Sequence, residues 1–165
     1  MKKFERARKV LPLGRLQKAL GTRRRRGERI VFTNGVFDLL HSGHIRYLTA
    51  ARRLGDILVV GLNADRSVRR IKGPRRPLVP ENERAELLSA LDCVDYVAIF
   101  GDPTPFRLIK ALRPDVLAKG ADWAEKDIVG GDVVKAAGGK VARIRLARGR
   151  STSNLIKLIL RRYSG

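Results

Sequence analysis

The sequence predicts an α/β fold: a Rossmann-like open parallel sheet of about five strands, with helices on both faces. Three observations carry this. Strand-like and helix-like segments alternate along the 165 residues, the pattern of strands joined by crossover helices. The segment Ile57-Leu58-Val59-Val60-Gly61-Leu62 is continuously apolar, as a strand covered on both faces must be. The polar and glycine-rich segments fall after the strands, where an open parallel sheet forms its ligand crevice.

Each element has its own signal. Val10–Leu20 reads as an opening helix and Arg29–Thr33 as the first strand. His44–Leu54 carries apolar residues at helical spacing (Ile45, Leu48, Ala51) and ends at Gly55. Ile57–Leu62 is the second strand. The stretch from Arg69 to Val79 holds four Arg, one Lys, a glycine and two internal prolines, and reads as a mobile basic loop. Pro80–Leu91 is a helix with Glu81 and Glu83 in its first turn, where they suit the dipole. Tyr96–Phe100 is the third strand. Thr104–Leu112 is a helix, with Thr104 as N-cap and Pro105 at the first helical position. Asp115–Ala118 is the fourth strand, Val133–Ala137 a helix closed by Gly138-Gly139, Lys140–Leu146 the fifth strand, and Thr152–Arg162 the last helix.

Composition narrows the class. The length fits one domain over residues 1–165, with a basic N-terminal extension at about 1–9. No apolar run approaches the ~20 residues of a membrane span. The basic N-terminus leads into no apolar stretch of the kind a secretory signal needs. Cys93 is the sole cysteine, so an internal disulfide is excluded, and its apolar neighbours suggest a small buried hydrophobe. These features point to the cytoplasm. The net charge of +20 implies attraction to polyanions. Half of the excess lies in residues 1–30, around Arg23-Arg24-Arg25-Arg26. That run reads best as a solvated arginine-rich surface.

The chemistry concentrates in Asn34-Gly35-Val36-Phe37-Asp38 and His41-Ser42-Gly43-His44. His41 and His44 are the only histidines, and their spacing of about one helical turn lets both rings point the same way. Gly43 permits close approach of backbone to a ligand. A helix N-terminus beside two imidazoles suits phosphate groups. A metal pair is the weaker reading, since no cysteine or His-Glu-x-x-His arrangement accompanies them. Four segments converge on the carboxyl ends of the strands: Thr33–His44, Asn63–Lys72, Lys119–Trp123 and Gly149–Asn154. Ser151-Thr152-Ser153, preceded by Arg148-Gly149-Arg150, opens the last helix as a second anion cradle. Asp65 fits a helix N-cap. There is no Ser-His-Asp arrangement and no cysteine in a reactive setting.

These motifs closely resemble the nucleotidyltransferase superfamily that includes the cytidylyltransferases. Within it they resemble the D-glycero-β-D-manno-heptose 1-phosphate adenylyltransferases over about Val10–Leu160. The resemblance rests on segments 32–41, 61–65, 71–77, 90–97, 114–123, 137–141 and 151–156. It implies direct adenylyl transfer from ATP to a sugar 1-phosphate, giving an ADP-sugar and pyrophosphate, with Mg²⁺ accompanying ATP. It implies that His41, His44 and Lys72 are catalytic, Lys72 closing over the phosphates. Asn34, Gly35, Val36, Phe37, Asp38, Gly43, Gly120, Asp122, Ser151, Thr152 and Ser153 would bind the nucleotide. Arg70 and Lys119 would serve the acceptor, and no protein metal ligands are expected. Trp123 would stack on the base or pack the loop. The resemblance leaves room for a homodimer.

One departure stands out. Leu146 occupies the position five residues before Ser151 where glycerol-phosphate cytidylyltransferases carry an arginine, which favours ATP over CTP; whether Arg148 supplies that charge stays open. Rival readings within the class are cytidylyl transfer to a polyol or amino-alcohol phosphate, and adenylyl transfer to FMN. A rival of another class is a basic nucleic-acid-binding protein. The aromatic content of 5% counts against a base-stacking surface.

Overall fold

A computed structural model of the chain describes residues 9–146 and 151–163. The elements run α1 (Leu13–Arg25), β1 (Ile30–Gly35), α2 (Ser42–Arg52), β2 (Ile57–Asn63), α3 (Asp65–Lys72), α4 (Glu81–Ser89), β3 (Tyr96–Phe100), α5 (Phe106–Leu112), β4 (Val116–Gly120), α6 (Gly131–Ala136), β5 (Lys140–Ile144) and α7 (Thr152–Tyr163). A short 3₁₀ turn lies at Glu125–Asp127. The five strands are parallel in the order β3-β2-β1-β4-β5. The expected open, doubly covered sheet is what forms.

Alternation along each strand builds the two layers. Ile30, Phe32, Ile57, Val59, Ala98, Phe100 and Leu117 face one side and pack against Leu16 and Leu20 of α1, Leu108, Ile109 and Leu112 of α5, and Val134 of α6. Val31, Leu58, Val60, Leu62, Val97, Val116 and Ala118 face the other, against Leu48 and Ala51 of α2 and Ala85 and Leu88 of α4. All seven residues of β2 are buried, so its apolar run is explained. Gly61 is required within it: a Cβ there would stand 2.7 Å from the Phe32 ring.

The sheet is weakest where strand order reverses. β1 pairs with β2 at six positions but with β4 at only two, Val31 with Val116 and Phe32 with Leu117. Beyond them the strands part, and the Tyr47 hydroxyl bridges the gap. It lies 2.8 Å from Thr33 Oγ1 and donates to the Ala118 carbonyl at 3.2 Å.

Several local expectations need correction. Val10 is not helical; it makes a parallel bridge to Val97 on the free edge of β3, and α1 starts only after Pro12. α1 then runs on into the arginine run. Arg24 donates to the carbonyls of Leu112 and, at 2.7 Å, Arg113, capping the end of α5, while Arg23 bonds Glu28. Those two arginines are therefore fastened rather than merely solvated. Arg69–Lys72 form the last turn of α3, so the irregular stretch is only 73–80; the Arg-Arg-Ile-Lys run is helix-compatible and its breaker is Gly73 (φ 93°). Asp65 is the first residue of α3 and Ala64 its N-cap. α5 is capped by Pro105, and Thr104 makes no side-chain cap. Cys93 is only half-buried.

Arg84 is the tie between these parts. Its side chain is fully buried. Nε donates to the Val79 carbonyl at 2.8 Å; Nη1 donates to Val36 at 2.6 Å and Asn63 at 2.9 Å; Nη2 meets Asp65 Oδ1 at 2.6 Å. One guanidinium thus joins the ends of β1 and β2, the start of α3 and the approach to α4. Replacing Arg84 by Met would leave a carboxylate and three carbonyls without their donor. That is expected to cost about 3–5 kcal/mol. A urea titration should show a lower midpoint with unchanged slope; an unchanged midpoint would show that the bonds are net neutral.

Candidate active site

The parted ends of β1 and β4 open a cleft of about 540 Å³, a size suited to a small ligand. Every residue expected at the site lines it except Arg70: Asn34–Asp38, His41, Gly43, His44, Lys72, Lys119, Gly120, Asp122 and Ser151–Ser153 are all there. Arg70 is exposed on α3 and lies outside the cleft. The helix explains this, because its rotation carries residues 71 and 72 to the cleft and residue 70 away. Arg148, Gly149 and Arg150 lie outside the described residues.

The turn after β1 is held in a demanding conformation. Phe37 has φ 45°, a region that L side chains rarely adopt. Its ring is buried and meets His44 edge-on, with centroids 5.3 Å apart. Asp38 fixes the turn from below. It is 1% exposed and accepts from the Leu78 and Val79 amides at 2.9 Å and from Arg76 Nε at 2.6 Å. Burial opposes ionisation of Asp38, but these donors together hold its carboxyl below the usual range. Both oxygens are engaged by the chain itself, so Asp38 shapes the turn and is not spare for a ligand.

His41 is the N-cap of α2, and its Nδ1 accepts the Gly43 amide at 3.1 Å. An Nδ1 that accepts leaves the proton of the neutral ring on Nε2. The Gly43 amide is consumed by this bond. His44 stacks on His41 with ring centroids 3.9 Å apart. Burial, and secondarily the neighbouring His41, push His44 down to about 4, so it is neutral near pH 7. Its Nδ1 is buried and has no hydrogen-bond partner among the described residues.

The opposite wall comes from β4 and α7. Lys119 donates to Asn34 Oδ1 across the parted strands. Burial pushes its ammonium down to about 8, against the effect of nearby Asp122. Lys119 is therefore tied to the end of β1. A Cβ on Gly120 would stand 2.2 Å from Asp122 Oδ1 and 3.0 Å from Leu146, so a larger residue there would displace the Asp122 side chain. Leu146 lines the cleft as an apolar residue. Thr152 Oγ1 donates to the Leu39 carbonyl at 3.3 Å, which sets the first turn of α7 beside the α2 N-terminus. The N-termini of α2 and α7 face the same space.

Sequence reasoning missed Tyr47, Arg76, Pro103–Pro105, Asp127–Val129 and the lining role of Leu146, while Asn63 and Ile71 fall in the 63–72 segment it placed at the crevice. Tyr47 had a signal, since it continues the three-residue spacing of His41 and His44. Arg76 had none: nothing local separates it from Arg70 or Arg75.

Residues 32–149 match the family profile described as Cytidylyltransferase-like. The bifunctional protein HldE of Syntrophotalea carbinolica is 57% identical over 148 residues, 90% of this chain. That of Trichlorobacter lovleyi is 52% identical over 149 residues, again 90% of the chain. The chain spans about 30% of the length of these relatives. A crystal structure of the lipopolysaccharide core biosynthesis protein from Thermoplasma volcanium GSS1 superposes with a TM-score of 0.62 at 32% identity, covering 75% of this chain and all of that one.

The depressed His44 value makes a testable claim. A neutral form favoured by the fold contributes stability that is fully present above pH 6.5, the ordinary value, and is lost as pH falls towards about 4. Thermal melting of the ligand-free protein should therefore fall more steeply between pH 6.5 and 4 than that of His44→Asn. Parallel curves for the two proteins would refute a buried neutral imidazole.

Proposed function

The chain belongs to the cytidylyltransferase-like family, and from that premise we propose that it transfers the adenylyl group of ATP to a sugar 1-phosphate, D-glycero-β-D-manno-heptose 1-phosphate in particular. The observation that carries the chemistry is the stacked His41–His44 pair at the N-terminus of α2, facing the first turn of α7. The heptose acceptor and the choice of ATP rest on the sequence resemblance, supported by Leu146 in the cleft wall.

In the reaction an oxygen of the sugar phosphate attacks the α-phosphorus of ATP. A new P–O bond forms, the bond from the α-phosphorus to the bridging oxygen breaks, and pyrophosphate leaves with that electron pair. No covalent enzyme intermediate is required, so the protein contributes positioning and charge neutralisation. His41 offers Nε2–H and neutral His44 a ring donor to the phosphate oxygens, where negative charge gathers in the transition state. The Ser151–Ser153 turn serves the outer phosphates. Lys72, at the end of α3, supplies a positive charge from the facing wall. Gly120 and Asp122 serve the nucleoside, and Lys119 the acceptor.

Mg²⁺ would neutralise triphosphate charge when bound. Asp38 is committed to the chain, and no cluster of three His, Cys, Asp or Glu occurs among the described residues, so the ion would be carried on phosphate oxygens and water. No helix among the described residues is long and apolar enough to cross a membrane.

The test is a panel of nucleoside triphosphates against phosphorylated acceptors, read by pyrophosphate release. ATP with the heptose 1-phosphate should be the best pair, and kcat/KM for ATP should exceed that for CTP by more than about tenfold. A CTP preference would overturn the base assignment. Replacing His44 by Ala should lower kcat by roughly 10²-fold in a protein that still folds. Unchanged turnover would mean that His44 is structural.

A further inference from the structure

Arg76 is held unlike any other cation of the cleft. Its side chain is only 16% exposed, and its Nε is fixed at 2.6 Å by Asp38, whose own side chain is fully buried. Its two terminal amines make no hydrogen bond among the described residues, yet Arg76 lines the cleft. A guanidinium immobilised at one nitrogen presents the remaining pair as a planar fork, which matches two oxygens of a phosphate. Lys72 stands on the same wall as a point charge.

The placement of this wall says which phosphate. The two anion cradles, at the N-termini of α2 and α7, lie together, and α7 follows β5 at the far side of the sheet. Arg76 enters from the other side, on the segment that joins α3 and α4 after β2. A nucleotide whose phosphates occupy the cradles leaves the β2 side for the second substrate. Direct displacement at phosphorus needs the attacking oxygen opposite the leaving group, so the two substrates must come from different walls.

We propose that Arg76, pre-oriented by Asp38, is the residue that binds the phosphate monoester of the acceptor, the role that sequence alone gave to Arg70. This rests on the adenylyltransferase reading above. Arg76 then holds the acceptor's phosphate for attack, and Asp38 acts through it as a positioning residue.

The experiment uses the full chain, ATP and D-glycero-β-D-manno-heptose 1-phosphate. Arg76→Lys keeps the charge and loses the fork, and should raise KM for the heptose phosphate about 10-fold. Arg76→Gln loses the charge as well, and should raise it about 100-fold. In both, KM for ATP at saturating acceptor should stay within about threefold. A variant damaged only in structure would change both constants together. Arg70→Ala should not reproduce the acceptor effect. In the wild type, phenylglyoxal modification of Arg76, followed by peptide mapping, should be blocked by the heptose phosphate and not by a non-hydrolysable ATP analogue; this arm needs no folded variant. A rise confined to KM for ATP, an acceptor effect that follows Arg70, or protection of Arg76 by the ATP analogue alone would overturn the assignment. Failure of the parent reading is seen separately, as absence of ADP-sugar formation by the wild type. Protection of Arg76 by a sugar 1-phosphate then decides the phosphate site on its own.

Discussion

Arg84 is the constraint on which the site depends. A fully buried guanidinium is tolerable only when its donors are satisfied, and here each bond goes to a different part of the chain: Val36, Asn63, Asp65 and Val79. These are the ends of two neighbouring strands, the start of one helix and the approach to the next. Loops at the carboxyl end of a parallel sheet have little sheet bonding of their own. Arg84 supplies what the sheet does not, and Asp38 repeats the device one layer higher by gripping Arg76, Leu78 and Val79. The mobility expected for residues 69–79 is thereby confined to a shorter, pinned segment.

The cleft is opened by a defect placed on purpose in the ladder. Two paired positions between β1 and β4 are too few to keep the strands together beyond Phe32 and Leu117. Tyr47 bridges the gap between Thr33 and Ala118, and Lys119 spans it again at Asn34. The same helix that carries His41 and His44 therefore also sets the width of the crevice they serve. Packing and strand separation are joined in His41, the N-cap of α2, and in His44 and Tyr47 on the helix itself. The stacking of the histidines, under the edge of Phe37, keeps His44 dry enough to stay neutral.

Most of the fold was legible because it follows from local rules. The continuous apolar run of β2 and the glycines after α2 and α6 each report their own environment, and the structure agrees to within a few residues. The errors fall where a distant partner decides. Val10 extends because Val97 offers a strand edge, and Arg24 has a role because α5 ends beneath it. The turn around His41 and His44 was legible as a motif, since a helix N-terminus and its cap are sequence-local.

By itself, then, the sequence determined the parallel α/β sheet, the order of its elements and the place of the His41–His44 segment at the crevice, because periodicity and capping act over a few residues. Only the tertiary structure decided which of 25 arginines turn inward. Arg70, Arg75 and Arg76 are alike in a linear reading. Asp38, 38 positions away, selects Arg76, and Asp65, 19 positions away, holds Arg84. A buried carboxylate chooses its cation by where the folded chain brings the two together, and no local pattern encodes that distance.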